Sequence, residues 1–284
     1  MRVTILASGS GGNATLVSAG GSRILVDAGV SKGVIESRMR SALGASVGVH
    51  GLVLTHPHGD HVGKAKEVAR HFDCPIWMTE ATSRRLRLGR LPTRVFGFNT
   101  PFDIGNIRVE PMPVPHDAPN VALVFDHRGT RAGLVTDLGH VPRKLAAHLA
   151  RCQLVLLEAN HDPAMLADGP YPDFLKKRVA SRVGHLSNQQ AAHLAARLGR
   201  ETREIVLMHL SEKNNAPMLA LAQVRAALAG RRVSVRCAHQ DQSLDLSIPE
   251  AVETLGGPRA DEPGTRRRKR RGGLVHVNQL ALPF

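Results

Sequence analysis

Four side chains that commonly bind metal ions occur within six residues, in the run His56-Pro57-His58-Gly59-Asp60-His61. Alternate side chains of an extended segment point to the same side, so His56 and His58 can bind one ion together. Asp60 and His61 follow an expected turn at Gly59 and can face a second ion. Such a run arises by chance on the order of once in a thousand chains of this length. Two ions held close together favour hydrolytic chemistry.

A catalytic metal site needs further ligands and an open position for water. Three candidates, His116, Asp137 and His209, each follow an apolar segment that reads as a strand. A single histidine after a strand is more often a surface or core residue than a ligand. These three therefore depend on the histidine run for their interpretation.

The elements that must position these residues alternate between strands and helices, which predicts a layered α/β architecture. A β-meander at 3–7, 13–18 and 23–26 opens the chain, and the apolar strand 51–54 leads directly into the histidine run. Later strands are predicted at 75–78, 108–112, 121–126, 131–136, 154–158, 205–208 and 233–237. Helices are predicted at 31–43, 62–71, 142–150, 187–198 and 217–228.

Composition indicates a polyanionic partner, because the formal net charge is +14 over 284 residues. Nucleic acid is favoured over a membrane, since no amphipathic basic helix stands out and no apolar run approaches transmembrane length. The three cysteines lack CxxC spacing, which argues against a disulfide framework or a thiolate zinc site. A cytoplasmic location is the expectation.

The composition shifts after Ile248, which predicts one domain over 1–250 and a disordered basic tail over 251–284. The tail segment 259–271 contains seven basic and two acidic residues, which leaves +9 for the rest of the chain. The folded part is therefore basic in its own right.

The histidine run, followed in order by His116, Asp137 and His209, resembles the metallo-β-lactamase fold, a four-layer αββα sandwich, over about residues 1–246. The resemblance implies that one metal takes His56, His58 and His116, that the other takes Asp60, His61 and His209, and that Asp137 bridges them. Asp27 matches an early aspartate of the fold. Zinc suits this ligand set best, and manganese or iron would also fit. Asp60 is expected to orient the attacking water as well.

The bond to be cut is indicated by other residues. True β-lactamases typically carry cysteine where Asp137 stands, whereas glyoxalase-II-like thioesterases share the ligand set. The segment 183–191 resembles the phosphodiesterase branch that includes ribonuclease Z, in which residues matching His185 and Glu158 protonate the leaving oxygen. The simpler alternative is that His185 only precedes a helix capped by Ser187 and Gln190. Basic residues just upstream could hold phosphates or form a solvated face: Lys176, Lys177, Arg178 and Arg182.

The segments 157–162, 184–188 and 209–215 resemble the YycJ/WalJ (VicX) group of bacterial proteins. This resemblance implies a nuclease acting on DNA, for instance an exonuclease in replication or repair. His161 and Asp162 are expected to shape the rim of the site. Two alternatives stay open: a small-molecule hydrolase, either a cyclic phosphodiesterase or a glyoxalase-II-like thioesterase, and an accessory protein that binds DNA or a sliding clamp.

The last six residues resemble the hexapeptide by which bacterial proteins bind the DNA polymerase sliding clamp. An extended peptide of this kind places a glutamine and spaced apolar side chains into a preformed groove. The alternative is a terminal strand or helix that packs on the domain. The residues predicted to contact the clamp are Gln279, Leu280, Leu282 and Phe284.

Overall fold

The computed structural model describes residues 1–249, so the predicted tail and its terminal peptide lie outside the described residues. The strands are β1 (Arg2–Ala7), β2 (Ala14–Ala19), β3 (Ser22–Val26), β4 (Gly51–Val53), β5 (Ile76–Thr79), β6 (Thr93–Phe96), β7 (Phe102–Ile104), β8 (Ile107–Val114), β9 (Asn120–His127), β10 (Thr130–Val135), β11 (Leu154–Glu158), β12 (Glu204–Met208), β13 (Ser234–Cys237) and β14 (Leu244–Ser247). The helices are α1 (Lys32–Leu43), α2 (Gly59–Val62), α3 (Ala65–Phe72), α4 (Glu80–Ser83), α5 (Leu145–Leu149), α6 (Pro163–Asp168), α7 (Asp173–Val179), α8 (Asn188–Ala196) and α9 (Pro217–Ala227).

The strands form two seven-stranded sheets. The first has the order β14-β1-β2-β3-β4-β5-β6, and the second has the order β13-β12-β11-β10-β9-β8-β7. Neighbours pair in antiparallel fashion from β14 to β3 and from β7 to β10. The strands from β3 to β6 and from β10 to β13 are parallel. The predicted meander at the start of the chain is thus confirmed.

Apolar side chains fill three layers. Val17 and Ile24 of the first sheet pack with Val109 and Phe125 of the second, which places one core between the sheets. The outer face of the first sheet is covered by α1 and α3. The outer face of the second sheet is covered by α5, α8 and α9. The resulting order of layers is helix, sheet, sheet, helix, and the predicted αββα sandwich is confirmed.

The structure differs from the prediction around the histidine run. Gly59 begins the short helix α2 rather than a turn, and the Gly63 N–H donates to the Gly59 carbonyl at 2.7 Å. The Lys64 N–H instead donates to the Ala28 carbonyl at 2.8 Å, which separates α2 from α3. The predicted helix 62–71 therefore begins only at Ala65, as α3, and Val62 is the last residue of the separate helix α2.

The elements that the sequence did not predict are short. Among them, α6 and α7 hold six and seven residues, too few to show a helical period, and three of the four residues of β6 are exposed. Strands β7 and β14 and helix α4 were also not predicted from the sequence. Within the described residues, no helix has both the length and the apolar character needed to cross a membrane.

Candidate metal centre

The candidate ligands lie where strands end. Asp27 and His56 follow the parallel strands β3 and β4, and Asp137, Glu158 and His209 lie at the carboxyl ends of the parallel strands β10, β11 and β12. Parallel strands end at the same edge of a sheet, so each sheet gathers its polar side chains at one edge. Three of these residues have left-handed backbones, with φ of 59°, 60° and 54° at Asp27, Asp137 and His209. Such conformations cost energy and cluster at functional sites.

The first group of ligands consists of His56, His58 and His116, whose ligand atoms lie within 4.8 Å of one another. His116 Nδ1 lies 3.1 Å from the Gly184 carbonyl, which leaves Nε2 to face His58 Nδ1 at 3.2 Å. His56 Nε2 is buried and has no hydrogen-bond partner in the described part of the chain. Burial lowers the pKa of His56, which favours the neutral imidazole that binds metal.

The second group consists of Asp60, His61 and His209. Asp60 Oδ2 lies 3.4 Å from His61 Nε2 and 3.3 Å from His209 Nε2. His61 Nδ1 lies 2.7 Å from Asp27 Oδ2, so its N–H donates to the buried Asp27 carboxylate, and Nε2 faces the other ligands. Carboxylates commonly orient metal-binding imidazoles in this way.

Asp137 lies between the two groups. Its Oδ2 is 3.1 Å from His61 Nε2 and its Oδ1 is 3.3 Å from His209 Nδ1. One carboxylate oxygen of Asp137 and one ring nitrogen each of His56 and His61 also lie within 4.8 Å of one another. Despite the short distance to His61, no hydrogen bond to the buried Asp137 Oδ2 is formed among residues 1–249. This position suits a carboxylate that contacts two ions.

The charges at this edge fit divalent cations. Burial raises the pKa of Asp137, but the nearby His209 and His61 outweigh this effect and hold it well below its usual range. Burial likewise raises the pKa of Asp60, but hydrogen bonds from His209 and His61 outweigh this effect and lower the pKa below its usual range. Burial lowers the pKa of His209, yet Asp137 and Asp60 raise it to about 10. The positive charge of protonated imidazoles here offsets the negative charge of the buried carboxylates. Two divalent ions bound by the same nitrogen and oxygen atoms would supply this positive charge instead.

Next to this centre, Glu158 is completely buried and fixed by the backbone. Its carboxylate accepts from the N–H groups of Asp137, Leu138 and Leu186 at 3.1, 3.2 and 2.8 Å. His185 Nδ1 lies 2.9 Å from Glu158 Oε1. Burial raises the pKa of Glu158, but the charge and hydrogen bond of His185 bring it to about 2. With Nδ1 held by a carboxylate, His185 Nε2 makes no hydrogen bond within residues 1–249 and can meet a substrate.

The predicted capping box is present, because the Ser187 side chain accepts from the Gln190 N–H and the Gln190 side chain accepts from the Ser187 N–H. His185 therefore both precedes a capped helix and contacts Glu158. Asp162 caps α6 by accepting from two N–H groups, and burial lowers the pKa of His161 to about 4. That these two residues shape the rim of the site stays a prediction.

The predicted phosphate-binding residues differ in their surroundings. Lys176 Nζ donates to the Ala167 carbonyl at 2.5 Å, so this ammonium is already engaged. Lys177 and Arg182 are exposed. The Arg182 backbone lies against Gly139, in the turn that follows Asp137, and this close approach leaves no space for a side chain at Gly139. Arg182 is thus nearer to the centre than its place in a charge run suggested.

Three residues of the site were not recognised from the sequence. Asp117 Oδ1 lies 3.2 Å from His58 Nε2, Asn13 Nδ2 lies 3.1 Å from His61 Nε2, and Thr55 Oγ1 lies 3.0 Å from His56 Nδ1. Asp117 directly follows the predicted ligand His116, and Thr55 directly precedes His56, so their positions in the sequence could have indicated a role in the site. The sequence gives no such indication for Asn13, because it lies 48 positions from His61.

Comparisons with known proteins identify the family. The family model described as the beta-lactamase superfamily domain matches residues 22–210. The chain is 32% identical to a Bacillus anthracis protein named exodeoxyribonuclease YycJ, over 89% of this chain and 98% of that protein. It is 31% identical to a Streptococcus pneumoniae protein named exodeoxyribonuclease WalJ, over 87% of this chain and 96% of that protein.

Solved structures share the fold at lower identity. A metallo-β-lactamase fold protein from Bacillus subtilis, YhfI, aligns with a TM-score of 0.65 at 16% identity, over 86% of this chain and 98% of that chain. The short form of human tRNase Z aligns with a TM-score of 0.60 at 17% identity, over 88% of this chain and 100% of that chain. The chain therefore belongs to the metallo-β-lactamase superfamily, within the YycJ/WalJ group, and is a metal-dependent hydrolase.

Proposed function

We propose that this hydrolase is a two-metal phosphodiesterase that cleaves DNA, acting as an exonuclease in replication or repair. The observation that carries the proposal is the His185–Glu158 pair, with 2.9 Å between Nδ1 and Oε1, beside the metal ligands. The names of the two curated relatives, both exodeoxyribonucleases, support DNA as the substrate. The positive charge of the chain favours the same class of substrate.

The pair matches a requirement of phosphodiester chemistry. Expelling an alkoxide requires a proton, and a histidine held by a carboxylate can donate one near neutral pH. In our proposal His185 gives this proton from Nε2 to the leaving oxygen, while Glu158 fixes the ring. A thioester releases a thiolate, which needs no such acid, so a glyoxalase-II-like activity would leave the pair without a role.

The two ligand groups would hold the metals, with Asp137 between them. Bound there, two divalent ions would lower the pKa of an attacking water and stabilise the negative charge that develops on the phosphate. Asp60 lies between His61 and His209 and is positioned to accept a hydrogen bond from that water. We propose zinc as the favoured metal because the ligands are imidazole and carboxylate groups, and manganese and iron suit the same atoms.

The experiment compares substrates and metals in one assay. Purified protein is incubated with end-labelled single- and double-stranded DNA and RNA, a thioester and a bis-phenyl phosphodiester, with Zn²⁺, Mn²⁺ or a chelator. We expect DNA to be degraded only with metal, and we expect the Asp60→Ala variant to be inactive. Cleavage of the thioester alone would refute the proposal. A cyclic phosphodiesterase would instead cleave the small diester and leave DNA intact.

The clamp interaction is a proposal from sequence alone. We propose that the terminal hexapeptide binds the sliding clamp and brings the enzyme to replicating DNA. Fluorescence anisotropy of the labelled peptide with purified clamp is the test. We expect binding that the double substitution Leu280→Ala with Phe284→Ala abolishes. Binding that is unchanged by this substitution would contradict the interaction.

A further inference from the structure

A cavity of about 140 Å³ lies directly beside the metal centre. Part of its wall, formed by Asp117 and His185, contacts metal ligands. Another part comes from the segment that contains α7, which contributes Tyr171, Leu175 and Val179. A substrate at the metal centre therefore has this cavity within reach.

The size of the cavity fits one planar ring. An apolar cavity of roughly 150 Å³ accommodates one benzene molecule, so this space accepts a single ring of the size of a pyrimidine. Leu175 and Val179 give it an apolar side, and Tyr171, the only tyrosine of the chain, gives it an aromatic one. Bases stack on aromatic side chains in proteins that bind single strands.

The polar groups in the wall suit the edge of a base. Asn160 is 5% exposed, and its Nδ2 donates to the His209 carbonyl at 2.9 Å. No hydrogen bond to Asn160 Oδ1 occurs within residues 1–249, so this oxygen is free to accept one. Ser211 is also 5% exposed, and its Oγ accepts from Asn214 N and Nδ2 at 3.2 and 3.3 Å. The Ser211 hydroxyl therefore retains its hydrogen for donation.

We propose that this cavity binds the base of the nucleotide whose oxygen leaves, with Tyr171 stacked on the ring and Asn160 and Ser211 at its edge. The proposal rests on the proposed function, because His185 lines the cavity and is the group that protonates the leaving oxygen. A diester with a base on the leaving side would then be preferred over one without. Tyr171 would set this preference.

Equilibrium binding tests the proposal without turnover. Metal-loaded, full-length protein is titrated with thymidine 5′-monophosphate, thymidine 3′-monophosphate and deoxyribose 5-phosphate, which lacks a base. We expect at least one thymidine monophosphate to bind more tightly than the sugar phosphate. Stacking contributes about 1–3 kcal/mol per base, so Tyr171→Ala should weaken that binding by roughly 5- to 150-fold. Tyr171→Phe should retain it.

Phe174 offers a matched control. It is an aromatic residue three positions after Tyr171, it lies in α7, it is 73% exposed, and it does not line the cavity. Phe174→Ala should leave the affinity unchanged. If Tyr171→Ala lowers the melting temperature, Tyr171→Leu keeps apolar volume without the ring and should show the same loss of affinity.

Two results would overturn the assignment. One is equal affinity of the wild type for the thymidine monophosphates and the sugar phosphate, and the other is an equal effect of Tyr171→Ala and Phe174→Ala. DNA cleavage without base-dependent binding would refute only the role of the cavity. Base-dependent binding without DNA cleavage would refute the proposed nuclease.

Discussion

Substitution of Asp27 by asparagine isolates one support of the metal centre. The buried Asp27 carboxylate accepts from His61 Nδ1 at 2.7 Å and from Thr55 N and Oγ1, both at 2.9 Å. Asparagine has nearly the same shape and tolerates the left-handed backbone found at this position. The change therefore removes the charge and one acceptor while the backbone conformation is retained.

The expected loss follows from these contacts. An amide has one oxygen, so its NH₂ group must face either the His61 ring or a donor of Thr55. A hydrogen bond to a charged group contributes about 1.5–3 kcal/mol to stability. Loss of the partner that orients a metal-binding histidine typically weakens metal affinity 10- to 100-fold, which is about 1.4–2.8 kcal/mol. We expect this loss at the group formed by Asp60, His61 and His209.

The assay is equilibrium dialysis against buffered zinc, followed by measurement of the metal content per chain, with the melting temperature determined in chelator. Asp245→Asn is the matched control. Asp245 accepts from Thr4 Oγ1 at 2.7 Å and from Arg2 Nε at 2.9 Å, and it lies on β14; within residues 1–249 it makes no hydrogen bond or ion pair with a candidate ligand. We expect Asp27→Asn to bind one metal normally and the other weakly. A folded Asp27→Asn protein that binds both metals with wild-type affinity would refute the reasoning.

Three further predictions concern packing, pH and metal removal. A Cβ at Gly29 would lie 1.8 Å from the Asp60 carbonyl oxygen, so Gly29→Ala should reduce metal binding and lower the melting temperature; Gly33, which has open space, should accept alanine without loss. Burial raises the pKa of Asp245, but its hydrogen bond with Arg2 lowers this pKa overall. The wild type should therefore be more stable than Asp245→Asn in urea unfolding at pH 7, and this difference in stability should disappear as the pH falls through the lowered pKa. A chelator should lower the melting temperature, since a ligand at 100 times its Kd stabilises by about 2.7 kcal/mol; an unchanged melting temperature would argue against bound metal.

The strands and the longer helices were predictable because their apolar segments stand out in the sequence, whereas the αββα order of the layers was implied by the resemblance to the metallo-β-lactamase fold. Strand β4 was predicted directly from its apolar residues. It leads into the histidine run, which lies at the edge of the sheet. The short helices α6 and α7 left no comparable apolar pattern, and yet α7 supplies Leu175 and Val179 to the cavity wall. Short elements are stabilised by tertiary packing, which local sequence does not encode.

The residues of the candidate site were likewise predictable only in part. Residues near each other in sequence, such as His56 and His58, were recognised from their spacing. Asn13 comes close to His61 only in the folded chain, and Tyr171 is brought to the cavity by the loop before α7. Such contacts follow from the tertiary structure and have no local signal.

The central claim is that this metal centre, together with His185, cleaves the phosphodiester bonds of DNA. The most direct measurement uses DNA in which a bridging oxygen is replaced by sulfur, prepared at either bridging position. A sulfur leaving group needs no proton, so the acid matters only for the normal linkage. Wild type and His185→Ala are compared on both linkages, with metal content determined for each protein.

We expect His185→Ala to lose about 10²- to 10⁴-fold in rate on normal DNA. On the sulfur linkage at the leaving position the loss should be far smaller, with unchanged metal content. Equal losses on the normal and sulfur linkages, or no metal-dependent cleavage of DNA by the wild type, would contradict the claim.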